Sequence, residues 1–323
     1  MSEASSPITQ NDGAVSYTTT GFNPLRVFAD GFRQLRAVRT QVNNSAAFVG
    51  DAIEDCRFVE QSLFSRCGVT LKQLRTLEVG HGQTQMLIAY VASRPNEAHG
   101  IDLDVTPRGL LDVAGFTRIL RHNGPMRCLK SVVREATGVN RAIRRSFCKL
   151  LNLQAWPAYT AHTGDATRLP FDSGSFDVVY STDVFEHLPD PEACLREIVR
   201  VLRPGGAMWI RANHYGQYNA MHDLRWITES GNRPHPWAHL LPEHAASVHP
   251  NAYVNRWRGK QFREIADKHC PGSQFEWIPQ AKPDLSAALQ SVRGRSELSD
   301  YSDDELLAHH VLLTWKKPLT THQ

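Results

Sequence analysis

The sequence predicts an α/β fold, a doubly wound, mostly parallel sheet with an antiparallel edge strand, and three observations predict it. An apolar run, Leu77-Glu78-Val79, passes straight into Gly80-His81-Gly82 and then into an apolar helical stretch from Met86 to Val91. Gly100-Ile101-Asp102-Leu103 reads as a second strand that ends in an acid. Phe176–Tyr180 follows the turn Asp172-Ser173-Gly174-Ser175, and a helix from Pro191 to Leu202 leads through Arg203-Pro204-Gly205-Gly206 into another apolar strand, Ala207–Ile210. Strands alternating with helices are joined by crossovers, which buries a parallel sheet between two helical layers in a Rossmann-like arrangement.

The remaining elements follow from composition and periodicity. Residues 1–20, rich in Ser, Thr, Asn and Gly, are expected to form a disordered tail. Across 21–74 apolar residues recur at three- and four-residue spacing (Val27, Phe28, Phe32, Leu35, then Ile53, Phe58, Val59, Leu63), which predicts an N-terminal helical cap. The core domain then runs over 75–318 and carries two insertions. The first, 105–163, reads as basic and helical; the second, 214–255, reads as a lid or acceptor region or as a packed auxiliary subdomain, because it is too long for a simple loop. Gln274–Ile278 and His309–Trp315 have no obvious full crossover between them and are expected to pair antiparallel at one sheet edge. Ser302-Asp303-Asp304-Glu305 opens a short helix with good capping chemistry.

Composition narrows the class. The 323 residues carry a net charge of only +3, with 41% hydrophobic and 21% charged residues, as in a globular protein with a real core. The charge is unevenly placed: between Val105 and Leu153 ten basic residues face two acids, a local excess of +8. Such a segment suits an anionic ligand or surface, or is a solvated helical face. The six cysteines form no C-x-x-C pair, which argues against a zinc module and fits a reducing compartment. The polar N-terminus is not a secretory signal and no apolar run approaches bilayer length, so a cytoplasmic location is expected.

The chemistry begins at Glu78-Val79-Gly80-His81-Gly82-Gln83-Thr84. Glycines directly after a strand let the backbone turn sharply beside a ligand, and the next helix presents free N–H groups. Asp102, 22 residues after Gly80, is placed to accept from the hydroxyls of a ribose, with Asp104 as a rival. Gln85 occupies the position of the third glycine of the dinucleotide pattern, which counts against a nicotinamide cofactor. Three more stretches extend the pattern: Gly164-Asp165-Ala166-Thr167-Arg168-Leu169-Pro170-Phe171, Ser181-Thr182-Asp183-Val184-Phe185-Glu186-His187-Leu188, and Arg200-Val201-Leu202-Arg203-Pro204-Gly205-Gly206. This ordered set resembles the class I S-adenosylmethionine-dependent methyltransferases, in particular the type 11 subgroup, over roughly Arg75 to Asn213 apart from the first insertion. The resemblance implies S-adenosyl-L-methionine as cofactor. It implies that Glu78, Gly80 and Gly82, with Gln83 in the same loop, lie under the methionine part, that Asp102 holds the ribose and that Leu103 lies against the adenine. It further implies that Asp165 accepts from the adenine amino group, that Ala166 offers its N–H, and that Ser181 and Thr182 line the transfer region. Thr84 departs from the glycine often found after this loop.

On the acceptor side, methyl transfer to a hydroxyl needs alignment and removal of a proton, for which a neutral histidine is suited. His187, His214 and His222 are the candidates. His214, directly after the strand Ala207–Ala212, and His222, with Asp223 available to orient its ring, form the preferred pair. The aromatic residues of the second insertion suit a small or carbohydrate-like acceptor, methylated at oxygen. No metal site is expected: His235, His239 and His244 have suggestive spacing, but Pro234, Pro236 and Pro242 break the helix that would make it meaningful. The basic insertion leaves room for weak membrane-surface contact and for an RNA-directed enzyme as alternative. A nucleic-acid partner is not expected, since no recognised RNA-binding module accompanies the core. A cofactor-binding partner protein without turnover is the other alternative.

Overall fold

The computed structural model describes residues 45–319 apart from 105, 108, 123, 229–230, 251 and 280–282. The tail expected at 1–20 and the part of the cap expected at 21–44 lie outside the described residues. Helix α1 (Ser45–Cys67) precedes β1 (Arg75–Val79), α2 (Met86–Ala92) and β2 (Glu97–Asp102). Helices α3 (Val113–His122), α4 (Gly124–Ala136) and α5 (Val139–Leu150) then lead to β3 (Thr160–Thr163) and β4 (Phe176–Thr182). The chain continues through α6 (Pro191–Val201), β5 (Leu202–Asn213), two single-turn helices α7 (Arg225–Thr228) and α8 (Pro242–Ala245), α9 (Gly259–His269), β6 (Gln274–Pro279), α10 (Pro283–Val292), α11 (Asp303–Leu307) and β7 (Ala308–Lys316).

The seven strands form one sheet in the order β3-β2-β1-β4-β5-β7-β6. All pairs from β3 to β5 are parallel, whereas β7 runs antiparallel to both β5 and β6. The expected antiparallel pair closes one edge of the sheet, with the reversed strand β7 lying one place in from the edge. The order of the strands reverses at β1, whose neighbours are β2 and β4; Val79 is level with both Ile101 and Ser181. Ligands of open α/β sheets bind beyond the carboxyl ends of the strands at such a switch point.

Both faces of the sheet are covered. On one, Leu195 and Ile198 of α6 and Phe262 and Ile265 of α9 pack on Val79, Val179, Ile210 and Val311. On the other, Val59 and Leu63 of α1 join Ile88 and Val91 of α2 against Val178, Tyr180, Trp209 and Leu312. Helix α1 is therefore part of the domain's second layer. Trp209 Nε1 donates to Ser62 Oγ at 2.7 Å, and Arg66 makes a bidentate pair with Glu276 of β6, both contacts 2.7 Å. Of the basic insertion, α5 packs on α1 through Val139, Ile143 and Phe147. The segment after β5 is folded onto the chain near its end: Tyr218, Trp226, Trp237 and Leu241 share a small core with Leu285, Leu289, Leu298 and Leu306.

Candidate functional site

The loop after β1 is shaped by two glycines with left-handed backbones, Gly80 at φ 79° and Gly82 at φ 59°. A Cβ on Gly80 would lie 2.1 Å from Val184 Cγ2, so the β1 loop and the chain leaving β4 touch through that missing side chain. At Gly82 nothing lies within 4 Å of where a Cβ would project, and the space in front of that backbone is open. Gln85, where the dinucleotide pattern has glycine, is itself left-handed at φ 53°, and Tyr159 anchors its Oε1 with a 2.6 Å hydrogen bond.

Asp102 ends β2 facing this loop. Its carboxylate accepts from the backbone N–H of Gly82 and of Asp104, each at 2.8 Å, which ties the two strand-end loops together. Burial raises its pKa, opposed by His81, the Gly82 N–H and Arg127. Arg127 reaches in from α4: it pairs with Asp104, and the Gln83 amide oxygen, turned toward it, accepts at 2.8 Å. The basic insertion thus sends a cation to the same loop. Leu103 follows Asp102 in the bend after β2. Asp165, after β3, receives the Thr167 N–H at 2.8 Å, and Ala166 beside it is buried.

Glu78 is buried at the end of β1, and its Oε2 has no hydrogen-bond partner. Burial first, and the nearby Asp102 second, push its pKa well above the carboxylate range. An orphaned carboxyl oxygen below an open glycine backbone fits the ammonium group of a methionine moiety. Ser181 is placed differently: its hydroxyl is fully buried and donates to the Val79 carbonyl at 2.8 Å, which cross-links β4 to β1. Thr182 is half-buried at the strand's tip.

The carboxyl ends of β4 and β5 gather a second cluster. Asp183, at φ 56°, lies 3.0 Å from His310 Nε2 and 3.2 Å from Arg211 Nη2. Although burial opposes it, Arg211 and His310 hold its carboxyl below the usual range. Asp55 of α1 completes this network at 2.9 Å from Arg211 Nη2. Glu186 is 1% exposed; Asn213 Nδ2 donates to its Oε1 at 2.6 Å, while Oε2 has no partner. Burial and Asp183 push its pKa up to about 8. His187 Nδ1 meets the Tyr253 carbonyl at 2.7 Å, so that nitrogen carries the proton and Nε2 keeps its lone pair. The His222 ring lies 4.9 Å from that of His187, and its Nε2 is buried without a partner. Burial lowers the pKa of both rings, that of His222 to about 4. Among the described residues, Glu186, His187 and His222 are the only metal-ligating group of three or more, with ligand atoms within 4.8 Å of one another.

Two sequence expectations meet different surroundings. His214 is 1% exposed, its Nε2 donates to the Ala308 carbonyl at 3.3 Å, and its ring packs on Trp277 at 5.0 Å. Burial takes its pKa down to about 3. It belongs to the packing between β5 and the β6–β7 pair, and it does not join the His187–His222 cluster. Asp223 does not orient His222 either; its carboxylate is taken by Arg225 at 2.6 and 3.0 Å and by the His249 N–H at 2.9 Å. Of the spaced histidines, His239 donates to the Tyr215 carbonyl at 2.8 Å, whereas His235 stacks on His244. The residues that sequence reasoning left without a role are Arg127, Asp183, Glu186, Arg211, Asn213 and His310. Asp183 and Glu186 stand inside the quoted motif after β4, which is the signal that could have found them. Arg127 and His310 come from distant segments and had none.

A seven-stranded sheet with this order, glycine loop and acid after β2 defines a class I methyltransferase domain. Residues 77–210 match the type 11 methyltransferase-domain family, so this segment is a class I S-adenosyl-L-methionine-dependent methyltransferase domain, with S-adenosyl-L-methionine as methyl donor. Over 62 residues the chain is 40% identical to cycloartenol-C-24-methyltransferase 1 of Oryza sativa subsp. japonica, covering 18% of each chain. Over 111 residues it is 33% identical to the phthiotriol/phenolphthiotriol dimycocerosates methyltransferase of Mycobacterium leprae, covering 33% of this chain and 37% of that one. The matches therefore span between about a fifth and two fifths of these relatives' length. Among solved structures, phosphoethanolamine N-methyltransferase 2 of Haemonchus contortus in complex with S-adenosyl-L-methionine is similar at 16% identity and a TM-score of 0.43, over 80% of this chain and 52% of that one.

Proposed function

We propose that this protein transfers a methyl group from S-adenosyl-L-methionine to an oxygen of a small or carbohydrate-like acceptor. The observation that carries the reading is the pairing of two sites at the same sheet end. One is the Gly80–Gly82 loop with Glu78 and Asp102; the other is the cluster of Glu186, His187 and His222. Bound there, S-adenosyl-L-methionine supplies a methyl group already activated by a sulfonium.

The chain's own residues divide the remaining work. Glu78 receives the ammonium of the cofactor's methionine part on its orphaned Oε2, while Gly80, Gly82 and Gln83 leave the backbone free to approach it. Asp102 gives up its hold on the Gly82 N–H in part to accept from the ribose hydroxyls. Leu103 and Ala166 flank the adenine, with Asp165 accepting from its amino group. Ser181 positions the floor by fastening β4 to β1, and Thr182 borders the transfer region. For the acceptor proton, His187 and His222 are neutral near pH 7, and His187, whose Nδ1 donates to the Tyr253 carbonyl, keeps its lone pair on Nε2, so His187, with His222 beside it, takes the proton as the oxygen attacks. His214 acts by packing. The names of the relatives, cycloartenol-C-24-methyltransferase 1 and the phthiotriol/phenolphthiotriol dimycocerosates methyltransferase, support a lipid-like small acceptor, and the first of them names carbon as the methylated atom. Weak membrane-surface contact through the basic insertion belongs to the same reading. All six cysteines are free thiols, which fits the cytoplasm; no described helix is long and apolar enough to cross a membrane.

Calorimetric titration with S-adenosyl-L-methionine, S-adenosylhomocysteine and NAD tests the cofactor half. Binding of both adenosyl compounds without NAD is expected, and radiolabelled methyl transfer to a panel of hydroxylated sugars and lipids then tests the acceptor half. Cofactor binding with no transfer to any pool would favour a non-catalytic partner protein.

A further inference from the structure

The insertion between β2 and β3 presents an outer surface that is both apolar and basic. Of the ten large hydrophobic side chains exposed among the described residues, seven fall between Leu110 and Leu150, a concentration that scattered surface exposure does not produce. Leu111 is 95% exposed and Val113 73%. Beside them, Arg118 and Arg121 on α3 and Arg141, Arg145 and Lys149 on α5 are exposed, and none has a carboxylate within ion-pair distance among the described residues. The three α5 cations are spaced by four, which puts them on one helix face, while Val139, Ile143 and Phe147 face inward on α1. The two acids of the segment are engaged locally: Asp112 Oδ1 accepts from the Gly115 N–H at 2.8 Å and Glu135 from Asn140.

We propose that helices α3 to α5 dock on an anionic phospholipid surface, with Leu111 and Val113 entering the acyl boundary and the arginines meeting lipid phosphates. Amphipathic helices with cationic flanks bind this way, by apolar burial and attraction to anionic lipid together. A nucleic acid fits the charge but offers no apolar layer for the leucines. The chain's own residues 21–44 do not complement the surface, since four arginines against one aspartate make that stretch cationic too. What the docking is for rests on the methyltransferase reading: α4 carries Arg127 into the loop at Asp102 and Asp104, so the docked face adjoins the cofactor site and favours an acceptor carried by the lipid surface.

Co-sedimentation of the full-length protein with vesicles tests the proposal. Binding to vesicles of phosphatidylcholine mixed with phosphatidylglycerol is expected, with little binding to phosphatidylcholine alone and loss of binding as salt rises. Arg118→Gln and Arg145→Gln should each weaken binding about five-fold, and the double variant Leu111→Asp/Val113→Asp should abolish it at every salt concentration. All four positions are exposed, so these variants keep the fold, and their affinity for S-adenosyl-L-methionine should match the parent's. Failure of the parent to sediment with anionic vesicles at low salt overturns the proposal, as does binding that persists in the Leu111→Asp/Val113→Asp variant or retention on RNA in place of vesicles. Vesicle binding without cofactor binding would instead overturn the methyltransferase reading and leave the docking surface standing.

Discussion

A carboxyl group buried at the end of a strand, as Glu78 is, favours its protonated form because ionisation there lacks solvent and faces Asp102. A raised pKa in the folded state means that the fold binds more protons than the unfolded chain, so this group's contribution to stability declines as pH rises above the ordinary carboxyl range. Glu78→Gln should therefore leave the unfolding free energy unchanged or raise it by about 1–2 kcal/mol in chemical denaturation at neutral pH. The same variant should bind S-adenosyl-L-methionine at least about ten-fold more weakly, a loss of charge-assisted bonding; unchanged affinity would remove Glu78 from the cofactor site. Asp102→Ala should weaken cofactor binding by about 1.5–3 kcal/mol, read by calorimetry, with Asp104 the next suspect if it does not. On the acceptor side, replacing both His187 and His222 with Gln should slow transfer by about a hundred-fold or more while cofactor affinity holds. His214→Phe should keep the rate, because the His214 ring is a packing group against Trp277.

At the scale of elements, helix α1 is fastened at three points that differ in chemistry. The Trp209–Ser62 bond is buried, the Arg66–Glu276 pair spans to the edge strand, and Arg94 after α2 grips both oxygens of Glu60 at 2.6 and 2.8 Å while Tyr90 donates at 2.7 Å. Burial alone would raise the pKa of Glu60, but the donors outweigh it and the net shift is downward. A depressed folded-state pKa gives stability that is complete above the ordinary carboxyl pKa and is lost as pH falls through the lowered value. Glu60→Gln should thus cost about 1 kcal/mol at neutral pH, a modest figure because the pair is partly exposed, and should flatten the fall in stability below about pH 4.5. An acid-unfolding profile identical to the parent's would show that the pair contributes nothing.

For the whole molecule, the segment after β5 and the chain between β6 and β7 share a core of their own around Trp237, which is fully buried and donates its indole N–H to the Leu306 carbonyl at 3.2 Å. Trp237→Ala should cost about 3–5 kcal/mol. Hydrogen exchange should show that loss first in residues 214–255 and 283–307, while the Gly80–Asp102 site retains its protection and cofactor affinity. Uniform deprotection across the sheet would mean that this layer and the cofactor layer unfold as one unit.

The division between what is legible in the chain and what is not follows from the range of the interactions. The strand-to-glycine junction at Val79–Gly80, the acid ending β2 and the alternation from Phe176 to Ile210 are local patterns, each carried by neighbours within a few turns of chain. They were enough to reach the sheet, its antiparallel pair and the domain family. The same locality explains the two departures. His222 and Asp223 are adjacent in sequence, yet a φ of 54° at His222 sends the ring toward His187 while Asp223 turns to Arg225. His214 follows β5 as expected, but β7 and Trp277 cover it, and burial is a property of the packed neighbours. Arg127, Asp183 and His310 reach their partners only because the sheet order sets β7 beside β5 and α4 beside the loop after β2. The sequence by itself determined the fold and the glycine loop after β1, because hydrophobic period and glycine backbone are encoded residue by residue. Only the tertiary structure decided which acids and histidines meet at the carboxyl ends of β4 and β5, since proximity and desolvation arise between segments far apart in the chain.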